Sequence, residues 1–210
     1  MTSEPSERPG SGHPPERERA RRLTDPKAMR AMAHPVRMAL LELLSAAGTL
    51  TATQASDVLG ESPANCAFHL RTLAKYGFVE EAGGGRGRER PWRKVPMRIS
   101  ISSSQDDPQA VAAAEVVGRA WTERWMDRAR RALDRGRDWP EGWADAVQSN
   151  GSQLFLTPAE LEQIGEEFLA LLDRYVDRDD PAKRPDGALP AELLFFGYPL
   201  TDLVHLGNQD

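Results

Sequence analysis

The chain has 210 residues, which is enough for one or two folded units. Hydrophobic residues make up 40% and charged residues 28%, and no apolar run approaches the length of a membrane span, so we expect a soluble protein without a membrane partner. The single cysteine, Cys66, excludes an internal disulfide framework and a zinc site built from cysteines. The N-terminus lacks the apolar stretch that directs export, so we expect a cytoplasmic protein.

Charge is unevenly distributed along the chain, whose formal net charge is -5. Residues 20–98 carry thirteen basic and seven acidic side chains, a net charge of +6, whereas residues 99–210 have a net charge of -10. A basic first half joined to an acidic second half suggests a module that binds a polyanion, attached to a region that does not touch it.

The first ordered elements are predicted to be two helices. Residues 1–22 are rich in Pro, Glu, Ser, Gly and Arg, and we expect a disordered tail there. Asp25 followed by Pro26 begins a short helix, and His34 followed by Pro35 interrupts and restarts it. The second helix carries a single apolar stripe and ends at Gly48.

The next stretch has the pattern of a helix-turn-helix. Thr51 and Gln54 form a capping box at the start of a helix of about two turns, which Gly60 ends. Ser62 then caps a longer helix that runs to Gly77. A short helix, a turn that contains glycine and a longer helix are typical of this motif. The buried face of the longer helix is predicted to hold Cys66, Leu70 and Leu73.

A β-hairpin is predicted to follow. Residues 79–82 and 91–95 are short extended runs on either side of a glycine-rich tip. The tip carries three arginines, namely Arg86, Arg88 and Arg90.

Together these segments resemble the winged helix-turn-helix of the ArsR-type bacterial transcriptional regulators. The resemblance covers residues 23–98 and rests on the runs MAHPVR, HLRTL and YGFV, on the turn before Asn65, and on the glycine–arginine hairpin. It is strongest for the actinobacterial branch with an extended C-terminal region, where the run LTPAEL is the best local match. The resemblance implies a winged helix-turn-helix fold and binding to double-stranded DNA.

The second helix of the motif is the predicted recognition helix, over residues 62–76. A step of about 100° per residue places its basic and aromatic side chains opposite the buried face. Arginine suits guanine edges or phosphate, asparagine suits adenine, and a helix N-terminus welcomes a phosphate oxygen. Alternatively, Phe68 packs against the wing or a neighbouring helix. The predicted DNA contacts are Ser62, Pro63, Ala64, Asn65, Ala67, Phe68, Arg71, Thr72 and Lys75, together with Arg86, Arg88 and Arg90 of the wing.

Metal binding and catalysis are not expected. Cys66 and His69 lie three residues apart, but Cys66 is on the buried stripe, and His69 is expected at its boundary. Many regulators of this type sense metals through Cys or His clusters on the helix before the recognition helix or on the terminal helix, and this chain departs from that pattern, because it has one cysteine and four histidines and the helix after the wing has no histidine. We therefore expect no metal and no cofactor. No constellation of base and nucleophile indicates an enzyme in the acidic half.

The C-terminal half is predicted to be a helical α+β region, so the fold class is mainly α with a β-hairpin wing. A helix is expected over residues 108–135, another begins at the capping box of Thr157 and Glu160, and strands are expected at residues 153–156 and 192–198. The apolar stripes along these helices, which we call the apolar seam, are predicted to form either an internal core or a dimer interface. The aromatic residues of this half are alternative candidates for the pocket of a small organic effector. Candidate dimer residues are Val117, Trp121, Trp125, Leu161, Ile164 and Phe168.

From these observations we expect a homodimeric transcriptional repressor that binds an inverted-repeat operator, because one recognition helix reads too few base pairs to find a site in a genome. The alternative is a winged helix that serves as a protein-interaction adaptor or architectural module and does not read DNA sequence.

Overall fold

The computed structural model describes residues 20–85, 90–96, 98–100, 107–136 and 138–202. Its helices are α1 Pro26–Met32, α2 Pro35–Ala47, α3 Ala52–Leu59, α4 Pro63–Lys75, α5 Pro108–Asp134 and α6 Pro158–Asp173. Its strands are β1 Ala20–Arg22, β2 Thr49–Leu50, β3 Val79–Glu81, β4 Trp92–Lys94 and β5 Arg98–Ser100. Two short 3-10 helices follow at Val176–Asp179 and Pro181–Lys183. The predicted class, a mainly helical protein with a small β wing, is confirmed.

Local capping signals set where most helices begin. The Asp25 carboxylate accepts from the Lys27 N–H at 2.9 Å at the start of α1. At α3 the predicted capping box is confirmed, because the Thr51 hydroxyl accepts from the Gln54 N–H at 3.2 Å and the Gln54 side chain accepts from the Thr51 N–H at 2.8 Å. The same pair of bonds forms between Thr157 and Glu160 at α6.

The end of α4 is a Schellman motif. The Phe78 N–H donates to the Leu73 carbonyl at 3.1 Å, and the Gly77 N–H donates to the Ala74 carbonyl at 2.9 Å. Gly77 has a φ of 73°, a left-handed conformation that glycine adopts without a Cβ penalty. Phe78 is 1% exposed and Leu73 is fully buried, so this cap anchors the chain in the core before it enters β3.

The wing is a three-stranded antiparallel sheet in the order β2-β4-β3. The predicted hairpin is confirmed, with Val79 opposite Lys94 and Glu81 opposite Trp92. Sequence reasoning missed the third strand, β2, in which Leu50 lies opposite Trp92. A two-residue strand has no periodicity of its own, and it is defined only by its pairing with β4.

Packing divides the chain into two units, Met1–Trp121 and Thr122–Asp210. The core of the first unit brings together α1, α2, α4 and the wing strands with the first half of α5. Ala113, Ala114 and Val117 of α5 are buried in this core, so the unit extends beyond the predicted boundary at residue 98.

Regular secondary structure begins at Ala20, earlier in the chain than predicted. The predicted disordered tail includes residues 20–22, but these residues form β1, which pairs in parallel with β5. Pairing with a strand far along the chain cannot be seen in the composition of the segment itself, which is the physical reason for the error.

The second unit contains the later half of α5, then α6 and the two 3-10 helices. The predicted strands at residues 153–156 and 192–198 are wrong, because both segments lack regular secondary structure. Residues 192–198 pack against α6 through side chains instead. The rings of Phe195 and Phe168 stack at 5.3 Å, and Gly197 lies so close to Leu161 that an added Cβ would come within 2.7 Å of its side chain.

Among the described residues, no helix is both long enough and apolar enough to cross a membrane.

Candidate nucleic-acid interface

The turn between α3 and α4 sets the position of α4, the predicted recognition helix. Gly60 adopts a left-handed conformation with a φ of 68°, and its N–H donates to the Ser56 carbonyl at 2.9 Å, which ends α3. Ser62 then caps α4 by accepting from the Asn65 N–H at 3.1 Å. Two helices joined by three residues therefore meet in the predicted helix-turn-helix.

The inner side of α4 is fixed in the core of the first unit. Cys66, Leu70 and Leu73 are fully buried, as predicted, and His69 is only 5% exposed. His69 was expected at the boundary of the buried face, and that expectation is wrong. Because one side of α4 is held in this way, its outer side is presented as a rigid surface.

The outer side of α4 is exposed along its length. Phe68 is 55% exposed, and its only described ring contact is an edge contact with His69 at 5.2 Å between ring centroids. Arg71 is exposed and forms no hydrogen bond or ion pair with another described residue. The exposed predicted contacts are Ser62, Pro63, Ala64, Phe68, Arg71 and Lys75, whereas Asn65, Ala67 and Thr72 are half-buried.

Several predicted contacts already have partners within the protein. The Asn65 amide donates to Glu61 at 2.7 Å, the Thr72 hydroxyl donates to the Phe68 carbonyl at 2.9 Å, and the Lys75 ammonium lies 5.7 Å from the Tyr76 ring centroid. At the N-terminus of α4, proline has no N–H and the Asn65 N–H is bonded to Ser62. The Ala64 N–H forms no bond with a described residue and is therefore the donor at this end that a phosphate oxygen can reach.

The wing is anchored at its base and basic near its tip. Trp92 is 7% exposed, and the Ala82 N–H donates to the Pro91 carbonyl at 2.8 Å where the strands separate. Arg90 is paired with Glu81 at 2.8 Å, and this hydrogen bond raises the pKa of the Arg90 guanidinium. Arg86 and Arg88 lie outside the described residues. An exposed ion pair of this kind is weak, so a phosphate can replace Glu81 at little cost.

On the inner side of α4 lies a cluster that sequence reasoning missed. The His34 and His69 rings lie 4.5 Å apart, and the Arg37 guanidinium is 3.3 Å from the Nδ1 atom of His69. Arginine is only a donor, so the His69 Nδ1 accepts, and its proton is on Nε2. Arg37 also donates to the carbonyls of Arg30 and Ala31, the latter a short contact.

This cluster ties three helices together. Arg37 extends from α2 to the last turn of α1 and to His69 of α4, so α4 is held by a hydrogen bond as well as by apolar packing. Burial lowers the pKa of His69, and the nearby His34 and Arg37 lower it further, whereas Glu61 opposes them. Burial, followed by Arg37, likewise lowers the pKa of His34. Both rings are therefore held in the neutral form.

Cys66 is not a reactive thiol. It is fully buried, and burial, with a smaller contribution from Glu61, raises its pKa. Reactive cysteines have lowered pKa values and access to solvent. In the part of the chain that the structure describes, no group of three or more His, Cys, Asp or Glu side chains could hold a metal ion.

The predicted dimer residues fall in different environments. Val117 is 1% exposed in the core of its own subunit, so it is not available to a second copy. Trp125, in the second unit, lies 6.3 Å from the Phe196 ring, and Phe168 stacks on Phe195. These contacts show that part of the apolar seam is internal, while Trp121, Leu161 and Ile164 are half-buried.

An open groove on the second unit is lined by two of the aromatic residues that are candidates for an effector pocket. Its volume is about 560 Å³, and Phe168 and Phe195 are the members of that aromatic set that line it. Arg174 and Glu167 place one charge of each sign beside its apolar wall.

Comparison with known protein families supports the assignment of the first unit. Residues 32–82, which extend from the end of α1 through β3, match the family model described as a helix-turn-helix domain. A comparison with curated proteins finds no match. Helix-turn-helix domains bind DNA, so this match supports a DNA-binding protein that regulates transcription.

Proposed function

We propose that the helix-turn-helix domain of residues 32–82 belongs to an ArsR-type, cytoplasmic bacterial repressor that binds DNA as a homodimer. The observation that supports this most directly is the outer face of α4, where exposed Arg71 has no partner among the described residues and projects from a helix locked into the core. A rigid helix with a free guanidinium suits readout of a base edge in the major groove.

The uneven distribution of charge along the chain supports DNA contact by the segment that contains α4 and the wing. The segment with a net charge of +6 contains α4 and the wing, and the segment with a net charge of -10 contains the second unit. The duplex attracts the first and repels the second. A dimer bound over a promoter then represses by occluding it, and its two recognition helices read half-sites about 34 Å apart.

Selection from genomic DNA tests this function. The purified full-length protein would be mixed with fragmented genomic DNA at about 150 mM salt, and the retained fragments would be sequenced. We expect an enriched inverted repeat whose half-sites lie about ten base pairs apart. Retention without an enriched motif would favour the architectural module, and no retention would favour the protein-interaction adaptor.

Replacement of Arg86, Arg88 and Arg90 by alanine is expected to weaken the salt dependence of DNA binding. Each phosphate contact that is lost reduces the slope of log K against log salt by about 0.9. Binding titrations at several salt concentrations measure that slope. Arg130→Ala is the matched control, because Arg130 is also paired with a carboxylate and its exposure of 69% is close to the 70% of Arg90. An unchanged slope in the triple variant would show that the wing does not touch DNA.

Treatment with a chelator is expected to leave DNA binding intact. Buried apolar side chains hold the inner side of α4, and the described residues contain no cluster of ligands for a metal ion. Binding to the selected operator would be measured before and after dialysis against EDTA. Loss of binding that zinc restores would contradict the proposal that the repressor works without metal.

A further inference from the structure

The second unit has almost no core of its own. From residue 122 onward, no described residue is buried, and α6 has no buried residue although its apolar positions follow a helical stripe. A folded segment needs buried apolar surface to outweigh the entropy that the chain loses on ordering. The surface that would complete this core must therefore come from outside this unit.

The most exposed apolar stretch of this unit is residues 151–156, which we call the apolar arm. Leu154 is 67% exposed, Phe155 is 107% exposed and Leu156 is 41% exposed. The arm contains no helix, turn or bend, and its backbone forms no hydrogen bond with the described residues. It thus presents both unpaired backbone groups and large apolar side chains, which is what a strand without a partner presents.

Charge distinguishes the arm from an ordinary surface loop. Residues 146–159 contain no Asp, Glu, Lys or Arg, in a chain that is 28% charged. Strand edges that stay in solvent usually carry lysine or proline, which discourages pairing with other chains. An arm without such residues can pair with an identical arm, because no like charges are brought into opposition.

We propose that the apolar arm pairs with the apolar arm of a second copy of the chain, as an antiparallel two-stranded ribbon about a two-fold axis. A two-fold contact must be self-complementary, and an uncharged strand meets this condition. The ribbon pairs the backbone groups of residues 151–156 that face the partner strand, and it places Leu154 beside cross-strand neighbours on one face and Phe155 beside cross-strand neighbours on the other. This inference rests on the proposed function, which requires two copies, and it names the segment that joins them.

Cysteine scanning of the full-length chain tests the ribbon. Each residue from 152 to 156 would be replaced by cysteine in a Cys66→Ala background, and intersubunit disulfides would be measured after mild oxidation. Residues at the two-fold axis face their own copies at about 5 Å, whereas residues farther away exceed the 7 Å limit of a disulfide. We expect cross-linking at one position or at two adjacent positions. Val58→Cys is the matched control, since Val58 is 65% exposed on α3 and reports random collision.

A lysine introduced into the arm provides a second test of the ribbon, through the dimer dissociation constant. Phe155→Lys is expected to raise the dimer dissociation constant by about tenfold or more, because pairing would desolvate two like charges. Sedimentation would compare it with Val58→Lys, which should remain dimeric. A monomeric wild type, or a dimer that cross-links no more than Val58→Cys, would overturn the ribbon. Protection of the Phe155→Cys thiol in a monomeric chain would overturn it too, because another part of the same chain would then be the cover.

The two proposals fail separately. Loss of DNA retention in a protein that cross-links through the arm would contradict the proposed function and leave the ribbon standing. Retention of an operator by a dimer that does not cross-link through the arm would contradict the ribbon and leave the proposed function standing.

Discussion

Replacing Arg71 with alanine is expected to weaken binding to the operator by about 1–3 kcal/mol and to relax the preference at one base position. The guanidinium is exposed and has no partner among the described residues, so its removal leaves no buried group unsatisfied. The loss should therefore appear in DNA binding and not in the stability of the fold. Binding titrations with the selected operator and with single-base variants of it would measure both affinity and specificity.

A conservative variant separates the two roles that Arg71 can have. Arg71→Lys keeps the charge but loses the planar pair of donors that matches a guanine edge. If Arg71 reads a base, lysine should lower specificity while the salt dependence stays unchanged. If both variants lower binding to every sequence equally, Arg71 contacts a phosphate and the base-reading role is wrong.

Local signals are the reason why the helix-turn-helix was predictable. Capping boxes, prolines at the first turn and glycines in left-handed conformations act within a few residues, so the sequence alone located α3, α4 and the turn between them. The exposed outer face of α4 followed from helical periodicity. Periodicity could not predict the hydrogen-bond partner of each side chain, such as the bond from the Asn65 amide to Glu61.

Pairing over long sequence distances was not predictable. Residues 20–22 join a strand near residue 100, and Arg37 and His69 lie 32 residues apart in sequence. In the second unit, strand propensity was present at residues 153–156, but a strand exists only where another strand accepts its hydrogen bonds. An apolar stripe also does not reveal whether its partner lies in the same chain, as the buried Val117 shows.

The His34–Arg37–His69 cluster is expected to make the protein less stable in mild acid. In the unfolded chain both histidines titrate near 6.5, while in the folded chain burial, and then neighbouring positive charge, lowers the pKa of each. Below pH 6.5 the unfolded chain therefore binds more protons than the folded one. The free energy of unfolding should have its full value above pH 6.5 and decrease as the pH falls below it.

Urea denaturation between pH 8 and pH 5 measures this effect, because most carboxylates stay ionised in that range. His69→Gln is the informative variant. Its amide oxygen can still accept from Arg37, but it does not titrate, so the decrease in stability should become smaller. Arg37→Ala should cost about 1–3 kcal/mol even at pH 8, since it leaves the Ala31 carbonyl without its donor, whereas the Arg30 carbonyl still accepts from the Ala33 N–H. Equal stability of the wild type at pH 5.5 and pH 7.5 would mean that both rings accept protons within the fold. In that case the hydrogen bond between Arg37 and neutral His69 would not be what holds α4 against α1 and α2.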